Sequence, residues 1–572
     1  MVRLYLTDSI HLEKNLKFKT LTHMRYLGVI TLLIITTLNS QAQQLQDFLN
    51  DPGSIHGNFE MNTQYYQPDS SISAQQPPEE LGFNGYLNLI YNRGNFEAGV
   101  RYESYQNALL GYSDQYEGNG IMYRYAKYKA DNLEFTVGNF YEQFGNGQIL
   151  RTYFDPGFGI DNSIDGVRVK YNLKGIYLKG LIGKQRNYFE YGDGIVRGLD
   201  GEVSFNELID QWSSSPLRFT VGGSLVSKFQ DDNSTLYTIP ENVLAYSSRF
   251  NLNYKGFNLN GEYTYKYNDP SADNHFSYRN GQALLLSTSY SRKGFGITLS
   301  AKTLDNMFFR SDRNNNSQFP ELYINFLPTL TKQHTYNLMS TLYPYAIQYN
   351  GEISYQADVI YTFKKGTLLG GKYGTTIQFN ASYAANIDTV SLNDEATERK
   401  LYETNLFESG DKFWHDINVE ISKKFSKSFK AKFTYQNLFY NIDVIQGKPG
   451  EPNVLANVVV ADLLFKLDKK NAIRTELQGL FTEQDQKDWA TVVVEWTHSP
   501  NWFASVIDQY NYGNEVVEDR QHYVTANVGY IKGGTRVTLG YGRQRAGIFC
   551  VGGVCRVVPA SSGVSLSITS TF

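Results

Sequence analysis

Val564-Ser-Leu-Ser-Ile-Thr-Ser-Thr-Phe572 decides how this chain is read. Val564, Leu566, Ile568 and Phe572 fall on one side of an extended strand, with Ser570 the single interruption. Ser565, Ser567, Thr569 and Thr571 fall on the other side. Side chains alternate across a strand, so this period of two describes one apolar and one polar face. A last strand of this kind, ending on an aromatic, suits a sheet that closes on its own first strand. Closure removes the unpaired edge that an apolar surrounding cannot satisfy. An ordinary soluble strand ending in Phe is the alternative, and the rest of the chain decides between them.

The same alternation recurs along the sequence. Phe96, Ala98, Val100 and Tyr102 alternate with Glu97, Gly99, Arg101 and Glu103. Ile377, Phe379, Ala381 and Tyr383 repeat the pattern, as do Ile417, Val419 and Ile421, and Val537, Leu539 and Tyr541. The polar face carries many charges, as a wet lumen would. Short basic turns such as Leu173-Lys174-Gly175, Tyr254-Lys255-Gly256, Arg292-Lys293-Gly294 and Lys532-Gly533-Gly534 alternate with longer connections rich in Asn, Asp and Ser. Gly and Asn supply the positive backbone angles of tight hairpins. Short turns at one end and long loops at the other are the pattern of outer-membrane barrels. The sequence therefore predicts an all-β fold, a transmembrane antiparallel up-and-down β-barrel of about 24 strands (roughly 22–26). An even count places both termini on the periplasmic side.

Composition supports this reading. The 572 residues hold 44 Tyr, 35 Phe and 49 Gly against 15 Pro and 6 Met. Mean hydropathy is −0.41, and beyond the amino terminus no long apolar run occurs, which excludes a helical membrane protein. A porin-type barrel can be polar overall because only alternate residues face lipid. A net charge of −4 argues against a nucleic-acid partner.

The amino terminus addresses the same compartment. Met24-Arg25 precedes an apolar stretch from Tyr26 to Leu38, too short to span a bilayer as a helix, and Ser40-Gln41-Ala42 supplies the small residues of a signal-peptidase site. Residues 1–42 are read as leader and cleaved signal, with Met24 as the natural start, and 43–572 as a single barrel domain without a separate plug. No Cys follows the apolar stretch, so no lipid anchor is expected. A barrel this wide needs long loops folded inward, or its pore is open.

Three segments are candidates for function. The connection within Gly138–Val169 holds Arg151, Asp155, Asp161 and Asp165 among several Gly and a Pro. Folded into the lumen, it would form a constriction with a transverse field. As a compact external turn, its Asp residues would only satisfy backbone donors. A calcium site at Asp155, Asp161 and Asp165 is a third alternative, on a spacing that matches no known loop. The connection from Asp305 to Tyr345 is polar first and aromatic later, with Tyr323, Phe326, Tyr336, Tyr343 and Tyr345. It is expected to pack on the barrel, plug it, or meet a partner. Cys550 and Cys555 are the only cysteines, and in an oxidising envelope they are expected to form one disulfide. A redox switch or a metal site fits them less well, since no further Cys exists and no His lies nearby.

Enzyme signatures are missing. The chain contains neither His-Glu-x-x-His nor Gly-x-Ser-x-Gly. His415 and His522 lie on strands, where many Ser could approach them, but sequence cannot pair them. No enzyme activity, metal or cofactor is expected.

The segments Gly138–Val169, Lys332–Gly374 (with Tyr343-Pro344-Tyr345, Gly351-Glu352 and Leu369-Gly-Gly-Lys372-Tyr-Gly374) and Tyr541–Phe572 (with Cys550, Cys555, Arg556 and Pro559) resemble a poorly characterised family of large outer-membrane β-barrels from Bacteroidota. The resemblance spans nearly the whole mature chain and implies membership, not an activity. Barrels of that phylum often serve in multi-protein machines. By that analogy the chain is expected to be a non-enzymatic accessory or scaffold subunit of an outer-membrane assembly, secretion or uptake complex. The alternative is a porin-like channel for small solutes. The expected partners are outer-membrane lipid, the barrel-assembly machinery during biogenesis, and other outer-membrane or surface proteins.

Overall fold

A computed structural model describes residues 52–315, 321–551 and 554–572, without the side chains of 549–556. The leader and signal segment expected at 1–42 lies outside the described residues. The chain divides into two units. The described part of the small one is 52–55 with 91–97, where Gly94 takes a left-handed turn conformation (φ 54°). The large one, 56–90 with 98–572, is the barrel.

Twenty-four strands form one sheet, meeting the expected count. Consecutive strands pair antiparallel, and the sheet closes because the last strand, Ser561–Thr571, pairs on one side with Thr535–Gln544 and on the other with the first strand. The closing register runs from Asn58 opposite Thr571 to Tyr66 opposite Gly563. Gly57 and Phe572 exchange backbone hydrogen bonds of 2.9 and 3.0 Å beyond it. Closure thus pairs the last residue of the sequence. Among the described residues the longest helices have five residues, Asn337–Thr341 and Ile442–Gln446, and no helix is long and apolar enough to cross a membrane.

Alternation sorts the two faces. In strand Asn242–Tyr254, Val243, Ala245 and Ser247 are buried while Leu244 and Tyr246 are exposed. In Tyr402–Lys424, Trp414, Asp416 and Asn418 are buried and Ile417 and Ile421 exposed. The exposed set, with Phe379, Val459, Val506 and Leu539 on other strands, makes an apolar outer belt.

The turns follow from local chemistry. Lys174 and Gly175 have φ of 43° and 81°, and Lys255 and Gly256 have 45° and 85°. Both central residues are left-handed, the type I′ geometry whose twist matches paired strands. Such short turns occupy one end of the barrel, together with two longer connections, 205–216 and 364–374. The other end carries the long connections, with one exception: only Tyr188 and Phe189 join Ile176–Asn187 to Glu190–Ser204.

Candidate functional site

The core of this protein lies inside the barrel. Two long connections fold into the lumen and pack on the inward faces of the wall. The first, residues 141–163, buries Phe144, Ile149 and Leu150 completely. They join inward-facing Leu181, Val196, Val226, Val243 and Ala245, and meet Phe309 and Ile324 of the second connection, 306–350. Backbone hydrogen bonds zip the two together: Arg151 N donates to Ile324 O (2.8 Å) and Phe326 N to Gly147 O (2.9 Å). Asn162 and Gln185 side chains both donate to Tyr323 O. The second connection then crosses to the opposite wall, where Tyr336, Leu338, Met339, Leu342, Tyr343 and Tyr345 pack on Trp414, Leu438, Tyr440, Val454, Ala456, Val458, Leu480 and Trp489.

Charged wall residues hold the first connection. Arg186 grips Glu103 with two bonds of 2.6 and 2.8 Å, and Asp161 with one of 2.8 Å. Arg101 bonds Glu103 at 2.7 Å, pairs with Asp161, and lies 3.9 Å over the Phe154 ring. These two arginines and two carboxylates are almost fully buried, so the charges are matched where water cannot screen them. Glu142 receives Arg168, Lys170 and Lys179. Glu262 takes the loop tip, accepting from Asn146 N at 2.7 Å and Asn146 Nδ2 at 2.9 Å. Gly145 has φ 52°, and a Cβ there would stand 2.5 Å from Glu262 Oε1, so the tip requires glycine.

The second connection is fastened at intervals. Lys228 Nζ donates to Arg310 O (2.8 Å) and Lys302 Nζ to Pro328 O (2.7 Å). Lys332 reaches Asn418 Oδ1 (2.9 Å), His334 Nε2 lies 2.5 Å from Asp416 Oδ2, and Gln478 accepts from Leu338 N (2.9 Å). Tyr343 OH donates to Asp485 (3.0 Å), and burial pushes its phenol well above the ordinary range, so it stays a donor. Arg545, from the last long connection, caps Thr341 O and Oγ1 at 2.6 and 2.7 Å.

The four charges expected at a constriction are not brought together. Arg151 is half-buried where the two inward-folded connections meet, its guanidinium 4.0 Å over Phe326 and 5.2 Å over Tyr153. Asp155 accepts from Phe158 N in its own turn (3.2 Å). Asp161 belongs to the buried quartet. Asp165 points away from its buried strand neighbours Ile164 and Arg168 and pairs with Arg124 at 3.0 Å. Among the described residues no three His, Cys, Asp or Glu side chains are grouped to hold a metal. Cys550 and Cys555 are backbone partners across the hairpin Gly547–Val551 and Val554–Val558, while their side chains lie outside the described residues. His415, on the outer face, bonds Asn437 at 3.0 Å, and His522 pairs with Asp508 at 2.8 Å.

Sequence reasoning missed Glu262, Arg186 and the quartet. Arg101 and Glu103 showed as charges on an inward face, but their partner Asp161 is far along the chain, and no local pattern joins them.

Three solved structures align with this chain at TM-scores below 0.5. The P pilus usher (PapC) translocation pore aligns at TM-score 0.43 and 9% identity, covering 90% of this chain and 99% of its own. The siderophore receptor PirA from Pseudomonas aeruginosa aligns at 0.39 and 12%, covering 91% and 80%. OccD3 (OpdP) of the same organism aligns at 0.37 and 15%, covering 73% and 92%. Among curated proteins no relative matches. Residues 24–572 match a protein family throughout, and the chain belongs to it: the family of unknown function DUF6029.

Proposed function

We propose that this protein is a stoppered outer-membrane barrel that works as a non-enzymatic accessory or scaffold subunit of an outer-membrane assembly, secretion or uptake complex. The filled lumen carries the reading. A barrel built for diffusion keeps a wet passage, whereas here wall and connections share apolar cores and buried ion pairs. With the short turns and both chain ends on the periplasmic side, the long connections and the Tyr402–Lys424 extension face outward to meet other proteins.

A channel that opens when the stopper moves is the second reading. It is favoured by the neutral polar lining near the short-turn end, where Asn258 donates to Asn251 and Asn253, Asn260 donates to Asn258, and Ser287 meets Ser300. Planar-bilayer recording together with gentle extraction, pull-down and mass spectrometry separates the two. The accessory reading expects a silent wild type, a stoichiometric co-purifying protein, and large conductance only after residues 310–335 are excised. Steady conductance by the wild type, with no partner recovered, overturns it in favour of the channel.

A further inference from the structure

One stretch of the outer wall carries cations at the loop-side edge of the apolar belt. On the outward faces of strands Ile164–Leu173, Ile176–Asn187, Glu190–Ser204, Leu217–Phe229 and Asn242–Tyr254, three rows follow from the register. Nearest the long-loop end, Asp165, Lys184, Ile195, Phe229 and Asn242 stand side by side. Below them come Val167, Ile182, Arg197, Ser227 and Leu244, then Val169, Gly180, Leu199, Leu225 and Tyr246.

The two lower rows form a groove of about 500 Å³, and Arg197 belongs to its lining. Gly180 creates the depression: it is the only position without a side chain in its row, beside the large, exposed Leu199 and Leu225. The groove is apolar along its length and cationic at its loop-side end. Arg197 Nη1 makes one long bond to Asn242 Oδ1 (3.4 Å), its guanidinium 5.7 Å from the Phe229 ring. Among the described residues, neither Arg197 nor Lys184 has a carboxylate partner. The nearby Asp165 is engaged by Arg124 at 3.0 Å, and Asp193 stands exposed on the bulge above. Two unneutralised cations at the upper edge of a lipid-facing groove are poorly placed for bare hydrocarbon. They are well placed for an anion at headgroup depth, with their stems along the apolar wall.

We propose that this groove is a specific site for one phosphate-bearing lipid of the surrounding leaflet, its phosphate held by Lys184 and Arg197 and one acyl chain laid over Gly180 between Ile182, Leu199 and Leu225. Charge complementarity selects the headgroup, since guanidinium and ammonium donors form charge-assisted bonds to phosphate oxygens. The absent side chain at position 180 selects the chain. The inference rests on the outer-membrane reading but not on the accessory role.

Native mass spectrometry of the detergent-purified barrel tests it, with three probes compared: palmitoyl-oleoyl phosphatidylglycerol, the diacylglycerol with the same chains, and inorganic phosphate. The expected result is one retained phosphatidylglycerol, bound about 10-fold more tightly than diacylglycerol, with no phosphate adduct; that ratio corresponds to about 1.4 kcal/mol. Lys184→Gln with Arg197→Gln should abolish the preference. Gly180→Leu should release the lipid although both cations remain. Heat-modifiable gel mobility, read on every variant, shows whether the barrel is intact, so loss of the site is distinguishable from failure of the membrane-barrel reading. Equal retention of both lipids, unchanged retention by the double variant, or displacement of the lipid by inorganic phosphate overturns the proposal.

Discussion

The two halves of the stopper share apolar packing but differ in what is added to it. Residues 141–163 bury Phe144, Ile149 and Leu150 on apolar wall and are further fastened by buried charge, through the Arg101–Glu103–Asp161–Arg186 quartet and the Glu142 and Glu262 carboxylates. Residues 336–345 dock on apolar wall, where Val454, Ala456 and Val458 are fully buried on the inward face of a strand whose outward face is also apolar but for Asn457. A barrel strand needs apolar residues on its lipid side alone. Where both sides are apolar, something apolar must lie inside. The halves also fail differently. Removing one member of a buried ion cluster leaves a net charge that water cannot reach. Trimming an apolar side chain leaves a cavity, and its neighbours close part of it.

The largest effect is expected at the quartet. Arg186→Ala removes one of the two guanidiniums that bind both carboxylates, leaving Arg101 alone against two buried acids, and should cost docking of 141–163 about 3–5 kcal/mol. Hydrogen exchange over that segment should rise by roughly two to four orders of magnitude, while heat-modifiable mobility persists, because the wall ladders are untouched. Replacing Arg101, Glu103, Asp161 and Arg186 together with apolar residues of similar volume should restore most of the protection. Protection that stays lost in the fourfold variant would show the charges to be indispensable, not merely paired.

On the apolar side, Leu338→Ala should cost about 2–5 kcal/mol, its extent set by how far Met339 and Leu480 relax into the space. Exchange should rise over 336–345 and stay unchanged over 141–163, since separated sites with no shared partner add independently. A rise in both segments would mean that the Arg151–Ile324 and Phe326–Gly147 bonds make the stopper one cooperative unit.

What the sequence disclosed divides along the same line. The strands and turns were legible because their causes are local: alternation in Val564–Phe572, and a Gly able to turn left-handed after Lys174 and Lys255. The inner residues were visible as polar or apolar, yet their partners were not. Asn146 and Glu262 are 116 positions apart and meet only because the wall curves round to face the loop. One signal lies in Val454-Leu-Ala-Asn-Val-Val-Val-Ala461, which is apolar on both faces except for outward Asn457 and so marks wall with an apolar occupant inside. The four charged residues proposed for a constriction were chosen by proximity in sequence. Such proximity joined Asp155 and Asp161 in one small hairpin but could not foresee that Asp161 would be claimed by Arg101 and Arg186.

A smaller effect is expected at the loop tip. Gly145→Ala places a methyl group at a left-handed position and 2.5 Å from a carboxylate oxygen. It should cost about 1–3 kcal/mol. The exchange gain should be confined to 141–150, and Glu262→Gln should lose the same local protection by weakening the bonds to Asn146. If Gly145→Ala leaves exchange unchanged, the tip docks through Phe144 and Leu150 alone.

The smallest effect belongs to the cysteines. Cys550 and Cys555 face each other across a hairpin of two short strands, so the chain already brings them together before any covalent bond forms. Closing a loop that short restricts the unfolded chain little, and loop-closure entropy grows only slowly with length. The pair is therefore predicted to be oxidised, as mass mapping without reductant would show, yet Cys550→Ser with Cys555→Ser should leave the temperature of barrel unfolding almost unchanged. The consequence should be local. The hairpin follows Arg545, whose guanidinium caps Thr341 of the stopper, so a looser hairpin should raise exchange around 337–341 several-fold and no further. A fall in barrel stability comparable to Leu338→Ala would mean that the staple holds the stopper's apolar half in place, and that this half depends on a covalent constraint as well as on packing.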